Sequence, residues 1–321
     1  MTARPISLAI STCPNDTFAF HAILNHEIDL QGLEFQIELL DIQELNSGLQ
    51  SGRFDVAKTS FHAALLLAKE TVVLTTGAAL GFGVGPLLLA ANQPTADQVR
   101  DWQFNAAKIL SSDQDDAENL VAPDRGSSKQ SSAPLIALCP GQLTTATLLF
   151  KLFYHQQLET GQIELRQVLF SDIMPQLRSG RADLGVCIHE GRFTWQTQGL
   201  SQIEDLGSRW ENLTAAPLPL GGIVARRNLG FELIGKIQTI IRQSIQFALA
   251  NRHRTLPTMK RYAAEFDDQV LFQHVDLYVN QWTIDIGSAE NNGLNQLIHQ
   301  AIKAGIISRE DVKMEIFSQP F

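Results

Sequence analysis

At 321 residues and 44% hydrophobic side chains, the chain is long enough to bury a sizeable core and to hold about two domains. A net charge of −9 excludes the basic surface that nucleic-acid binding requires, and the short clusters at Arg226-Arg227 and 252–254 read as solvated faces. No apolar run approaches the ~18 residues that cross a membrane, and residues 1–5 lead straight into a short apolar strand instead of a secretory leader, so a cytoplasmic protein is expected.

In chain order, strands are predicted at 7–11, 33–40, 55–59 and 71–79, with helices between them at about 16–25, 42–51 and 61–68. That alternation implies a largely parallel sheet covered by helices. Residues 85–90 read as a strand crossing into a second lobe, and 217–225 as the return crossing. Helices at 233–251, 255–265, 268–279 and 291–304 are expected to pack back on lobe one. The fold class is α/β, with 1–90 and 222–321 forming lobe one and 91–221 forming lobe two. Within lobe two, segment 111–132 is rich in Ser, Asp and Gln and has too few apolar residues to offset its ordering entropy, so it is predicted to be a mobile surface insertion.

The chain also repeats itself. An apolar run ends in Cys-Pro at Cys13-Pro14 and again at Cys139-Pro140, and a later helix ends in Ser-Gly-Arg-x-Asp at 51–55 and again at 179–183. From Cys13 to Gly52 is 39 residues, and from Cys139 to Gly180 is 41. A single Ser-Gly-Arg-x-Asp is an ordinary helix stop; two in matched order imply two similar lobes, with a ligand cleft between them.

In the first copy, Asp41 and Glu44 form a capping box before Ile42, Leu45 and Leu49, and Gly52 supplies the left-handed stop. A strand then delivers Lys58, Thr59 and Ser60 to its end. In the second copy, Ser171 or Asp172 is expected to cap, with Pro175 in the first turn and Ile173, Met174 and Leu177 facing inward. The strand 184–188 then delivers His189.

The chemistry-bearing positions follow from these strand ends. At Cys13-Pro14 and Cys139-Pro140 a strand turns into a helix, where exposed N–H groups can hold a carboxylate or simply be capped. The glycine-rich run 77–85 is followed by Pro86 and a strand, so it is no dinucleotide fingerprint; a hinge or a close backbone approach fits it better. His189, at a strand end facing the cleft, can act as a general base, the alternative being an imidazole fixed in packing. His274 and the remaining histidines lie in helical or surface contexts that give no reason to single them out. Cys13, Cys139 and Cys187 are odd in number and lack metal-ligand spacing, and read as reduced thiols.

The stretches STCPNDTFAF, LNSGLQSGRFDVAKTSFHA, GAALGFGVGPLLLA, CPGQLTTA, CIHEGRFTW, LPLGGIVARR and HVDLYVNQWTIDIG, in this order over nearly the whole chain, resemble the 1,4-dihydroxy-6-naphthoate synthase family of the futalosine route to menaquinone. The resemblance implies a type 2 periplasmic-binding-protein fold used as an enzyme, its active site between the lobes. It also implies conversion of cyclic dehypoxanthine futalosine into the naphthoate without a metal or organic cofactor. By matching motif, His189 would be the general base, and Lys58, Thr59, Ser60, Thr144, Thr145 and Ala146 would contact a small anionic substrate, with Asn46 a further candidate. The 111–132 insertion departs from the family pattern. Chorismate dehydratase of the same pathway and a non-catalytic solute-binding protein are the competing readings; CPNDTF and IHEGRFTW favour the synthase over the first, and the missing leader disfavours the second.

Overall fold

The structure is a computed structural model that describes residues 4–91, 133–189, 191–263, 267–287, 289–308 and 314–318. The 111–132 segment lies outside the described residues. Two sheets form the frame. The first runs in the order β2 (Phe35–Leu40), β1 (Ile6–Ser11), β3 (Val56–Ser60), β11 (Leu218–Arg226) and β4 (Thr71–Val73), with β5 (Ala79–Gly81) also on β11. The second runs β10 (Ser201–Asp205), β6 (Leu87–Ala90), β9 (Leu184–Cys187), β7 (Leu135–Cys139) and β8 (Ile163–Gln167).

The two sheets have the same plan. In each, a central strand is flanked by two parallel neighbours, β2 and β3 around β1 and β8 and β9 around β7. Each is then extended by one antiparallel strand, β11 on β3 and β6 on β9. Those two strands arrive directly from the opposite lobe, so the chain crosses twice. The pairing puts 87–90 in the second sheet and 218–221 in the first, so the lobe boundaries fall before these stretches instead of after Ala90 and Gly221 as the sequence predicts. The change of sheet comes before the apolar run, at Gly85-Pro86 and Pro217, because each run needs its hydrogen-bonding partners in the new sheet.

The repeated Ser-Gly-Arg-x-Asp has the same job in both copies. Gly52 and Gly180 sit at φ of +82° and +68°, and their N–H groups bond back to Leu49 and Leu177. The Arg53 and Arg181 N–H groups reach Gly48 and Gln176, giving two Schellman caps. The Asp then ties the new strand to its neighbour: Asp55 accepts from the Ser7 N–H at 3.0 Å, and Asp183 from the Ile136 N–H at 2.8 Å. The capping box at Asp41 and Glu44 is present.

Some expectations change. The second-copy helix spans Phe170–Arg178 and begins after Leu169 without a side-chain cap, so Pro175 is inside it and neither Ser171 nor Asp172 is the cap. Pro175 deprives the Ser171 carbonyl of its helical donor, and both residues lie on the exposed side of the helix. The 71–79 strand divides into Thr71–Val73 and Ala79–Gly81, because Gly77 turns the chain at φ +85°. The long helix Phe231–Ala250 packs its isoleucines on Ile6, Leu8, Val56 and Ile223 of the first sheet, as expected. Ala289–Lys303 touches both β11 and the lobe-two helix Thr145–Phe153, so it straddles the lobes. Among the described residues no helix is long and apolar enough to cross a membrane.

Candidate active site

Between the sheets lies a cavity that opens to solvent, a cleft of the kind in which small ligands bind. Its walls come from both copies of the repeat. Lys58, Thr59 and Ser60 line it from the end of β3; His189 lines it from just beyond β9; Thr144, Thr145 and Ala146 line it from the start of a lobe-two helix. Asn46 does not line it and is fully buried one layer behind.

The lobe-one wall is a closed hydrogen-bond network. The Asn46 Oδ1 accepts from the Thr59 hydroxyl at 2.8 Å and from the Ser60 N–H at 3.1 Å. Its Nδ2 donates to the Ser60 Oγ at 3.2 Å. With that oxygen already accepting, the Ser60 hydroxyl hydrogen is left to donate elsewhere. Asn46 thus orients Ser60. Lys58, 5% exposed, meets Asp16 at 2.9 Å and donates to the Gly77 carbonyl at 3.0 Å. Asp16, from CPNDTF, was not singled out in the sequence, where nothing marks it as the partner of a lysine 42 residues on.

The lobe-two wall has fewer partners. His189 has a backbone φ of +54°, in the left-handed region that a non-glycine residue seldom occupies and that clusters at functional sites. Its Nδ1 lies 3.1 Å from the Cys13 Sγ across the cleft, and Phe170 meets the ring edge-on at 5.0 Å. Burial, helped by the Lys58 charge, pushes its pKa down to about 4. The imidazole is therefore neutral at physiological pH, the form that accepts a proton.

Thr144 is the N-cap of Thr145–Phe153: its Oγ1 accepts from the Thr147 N–H at 3.2 Å and donates to the Gly141 carbonyl at 2.9 Å. The Thr145 hydroxyl donates to the Leu220 carbonyl of β11 at 2.7 Å, a bond between the lobes. Both hydroxyls are thus engaged within the protein. What the helix start offers the cavity is the Thr145 and Ala146 N–H groups of its first turn, which have no intrahelical acceptor.

Other motif residues hold the walls in place. Arg192 donates to the Gly85 carbonyl and pairs with Asp205 at 2.7 Å, fixing the segment after His189 to the crossing. A Cβ on Gly85 would lie 2.1 Å from the Gly207 Cα, so the glycine there permits a close backbone approach. Cys139 and Cys187 are buried, and burial pushes their thiols up to about 12. Among the described residues no cluster of three or more His, Cys, Asp or Glu could hold a metal ion.

His274 is, with Asp16, a site residue that sequence reasoning missed. It comes from the C-terminal helix Asp268–Tyr278, is 1% exposed and lines the cavity, its ring 6.4 Å from that of His189. Its only signal was membership of the HVDLYVNQWTIDIG stretch.

A family described as menaquinone biosynthesis matches residues 6–303. A 1,4-dihydroxy-6-naphthoate synthase of Streptomyces coelicolor is 31% identical, with 96% of each chain covered. Its namesake from Thermus thermophilus is 32% identical, over 94% of this chain and 95% of its own. Among solved structures, a protein of Archaeoglobus fulgidus superimposes with a TM-score of 0.77 at 26% identity, covering 94% of this chain and 98% of its own. The periplasmic aliphatic sulphonate-binding protein of Escherichia coli does so at 0.59 and 10% identity, covering 99% and 95%, which shows the fold alone. The fold is that of the two-lobed periplasmic binding proteins, with the cleft between the lobes.

Proposed function

The chain belongs to the menaquinone biosynthesis family, and we propose that it is a 1,4-dihydroxy-6-naphthoate synthase, a cytoplasmic lyase acting on cyclic dehypoxanthine futalosine. The observation that carries this reading is the convergence, on one cavity, of a neutral histidine from one lobe and a hydroxyl donor from the other. Relatives at 31% and 32% identity carry the synthase name, which disfavours chorismate dehydratase and a non-catalytic solute receptor.

The residues divide the work. The Ser60 hydroxyl, turned outward by Asn46, and the Thr145 and Ala146 N–H groups hold the substrate's anionic group from opposite sides. Lys58, held in place by Asp16, brings its ammonium group to the same wall. His189 takes the proton that begins ring opening and elimination. The Cys13 sulfur lies 3.1 Å from Nδ1 and 3.6 Å from Nε2, and in the tautomer with its proton on Nδ1 the Nε2 lone pair is the acceptor. A ligand held by both walls favours the closed arrangement through its differential affinity for the two states.

The test is incubation of the protein with cyclic dehypoxanthine futalosine and detection of 1,4-dihydroxy-6-naphthoate by mass spectrometry. Product at a catalytic rate is expected. Unchanged substrate under conditions where the protein is folded would refute the assignment.

A further inference from the structure

We propose that His274 is a second substrate-contacting imidazole, its ring completing its hydrogen bonds with an oxygen of the substrate that His189 deprotonates. The inference rests on the function proposed above for the identity of that substrate, but the observations behind it do not. His274 is 1% exposed, and neither ring nitrogen has a hydrogen-bond partner among the described residues. A buried polar group without a partner is expensive and rare, so an imidazole kept in this state calls for an explanation. Its ring packs among other rings: Tyr278 at 4.6 Å between centroids, Phe193 at 6.2 Å, and His189 nearly parallel at 6.4 Å. Packing alone would be served as well by a phenylalanine.

The position singles out a ligand as the missing partner. His274 comes from a lobe-one helix and Phe193 from lobe two, so the ring stands where the lobes meet, on the wall of the cavity that His189 also lines. Burial and the positive charge His189 would carry on protonation hold the His274 imidazole neutral. A neutral ring offers one N–H donor and one acceptor. As His189 withdraws a proton, negative charge grows on an oxygen of the substrate, and an imidazole N–H that reaches that oxygen stabilises it. Ser60 reaches the cavity from the end of β3 and the Thr145 and Ala146 N–H groups from the lobe-two helix, whereas the His274 ring stands 6.4 Å from that of His189, near where the proton leaves.

The experiment compares kcat, KM and melting temperature of wild type, His274→Phe and His274→Gln on cyclic dehypoxanthine futalosine. His274→Phe should melt no lower than wild type, since it removes two unpartnered polar atoms, yet lose roughly 5- to 150-fold in kcat/KM, the equivalent of one hydrogen bond missing from a buried oxygen. His274→Gln, which restores a donor, should recover part of that loss. Folded His274→Phe with wild-type kcat/KM would overturn the inference while leaving the proposed function standing. Wild type that makes no product would overturn that function and this inference with it. If His274→Phe does not fold, nitrogen-15 NMR of the wild-type ring decides. A shift of the His274 nitrogens on saturation with 1,4-dihydroxy-6-naphthoate supports the contact, and unmoved signals refute it.

Discussion

The two copies of the repeat build the same scaffold and end it in opposite chemistry. Asp55 and Asp183 tie equivalent strands, and Gly52 and Gly180 stop equivalent helices. At the strand ends the likeness stops. The first copy finishes in Lys58, Thr59 and Ser60, whose polar atoms are engaged by Asp16, Gly77 and Asn46. The second finishes in His189, on strained backbone with a thiol as its polar neighbour across the cleft. The two cysteines diverge likewise: Cys13 faces the cavity, whereas Cys139 is fully buried with a thiol that stays protonated. A strand end fixed by its own hydrogen bonds can hold a ligand in one place, and a sparsely partnered one keeps a lone pair available for reaction. Strand ends on this fold are therefore interchangeable as supports but not as chemistry.

Removing the reactive side of this comparison should have the largest effect. His189→Ala is expected to lower kcat about 10²- to 10⁴-fold with little change in melting temperature. Steady-state kinetics on the substrate, alongside a thermal melt, reads both. A variant keeping more than about a tenth of the wild-type rate would take the proton transfer away from His189.

The holding side should break through stability. Lys58→Met strands Asp16 as a buried carboxylate, and breaking such a pair costs about 3–5 kcal/mol. Denaturant unfolding should record that loss, and adding Asp16→Asn should return most of it. The same substitution removes the charge that depresses the His189 pKa, so that pKa should rise. If the single and double variants are equally unstable, the pair is not what the lysine is for.

Acid should weaken both sides together. His62 and His189 titrate at about 4 in the folded protein, chiefly through burial, and burial holds His274 well below its ordinary value as well. Unfolded histidines take up protons near 6.5. Above pH 6.5 neither state binds these protons and the groups do not affect stability. As pH falls from 6.5 towards 4, only the unfolded chain binds them, so stability is lost by up to about 1.4 kcal/mol per pH unit for each such group. Melts between pH 6.5 and 5, above most carboxylate titration, should show the decline, and His62→Gln should make it shallower. A flat profile would contradict the lowered pKa values of these rings.

The smallest effect sharpens the likeness. Asp55→Ala and Asp183→Ala each remove one bond to a strand N–H, worth about 0.5–1.5 kcal/mol. Asp55 is buried and its carboxyl is held low by Arg4 and Ser7 against the pull of burial, while Asp183 is exposed. Asp55→Ala should therefore cost more in chemical unfolding. Equal costs would mean that burial does not separate the copies.

What the sequence made legible follows the range of the forces involved. The Schellman caps at Gly52 and Gly180 and the capping box at Asp41 depend on residues within six positions of one another, so the chain displays them locally. The doubling of those local signals exposed the lobe plan, and a motif at a strand end exposed His189. Asp16 and His274 were invisible for the opposite reason: their roles arise only when distant segments meet at the cavity. Thr144 and Thr145 were legible as cavity residues, but not the use of their hydroxyls on Gly141 and Leu220. The start of Phe170–Arg178 was misread because a proline normally marks a first turn, whereas an exposed helix face tolerates one further in.

The division between a holding and a reacting strand end is tested most directly by calorimetric titration of cyclic dehypoxanthine futalosine into His189→Ala and into Ser60→Ala. The His189 variant should bind substrate with a Kd within a few-fold of the wild-type KM and release no product, whereas Ser60→Ala should bind roughly 5- to 150-fold more weakly, as expected for one lost hydrogen bond to a buried anion. Loss of binding in His189→Ala as large as in Ser60→Ala would show that both strand ends hold the substrate, and would contradict the account.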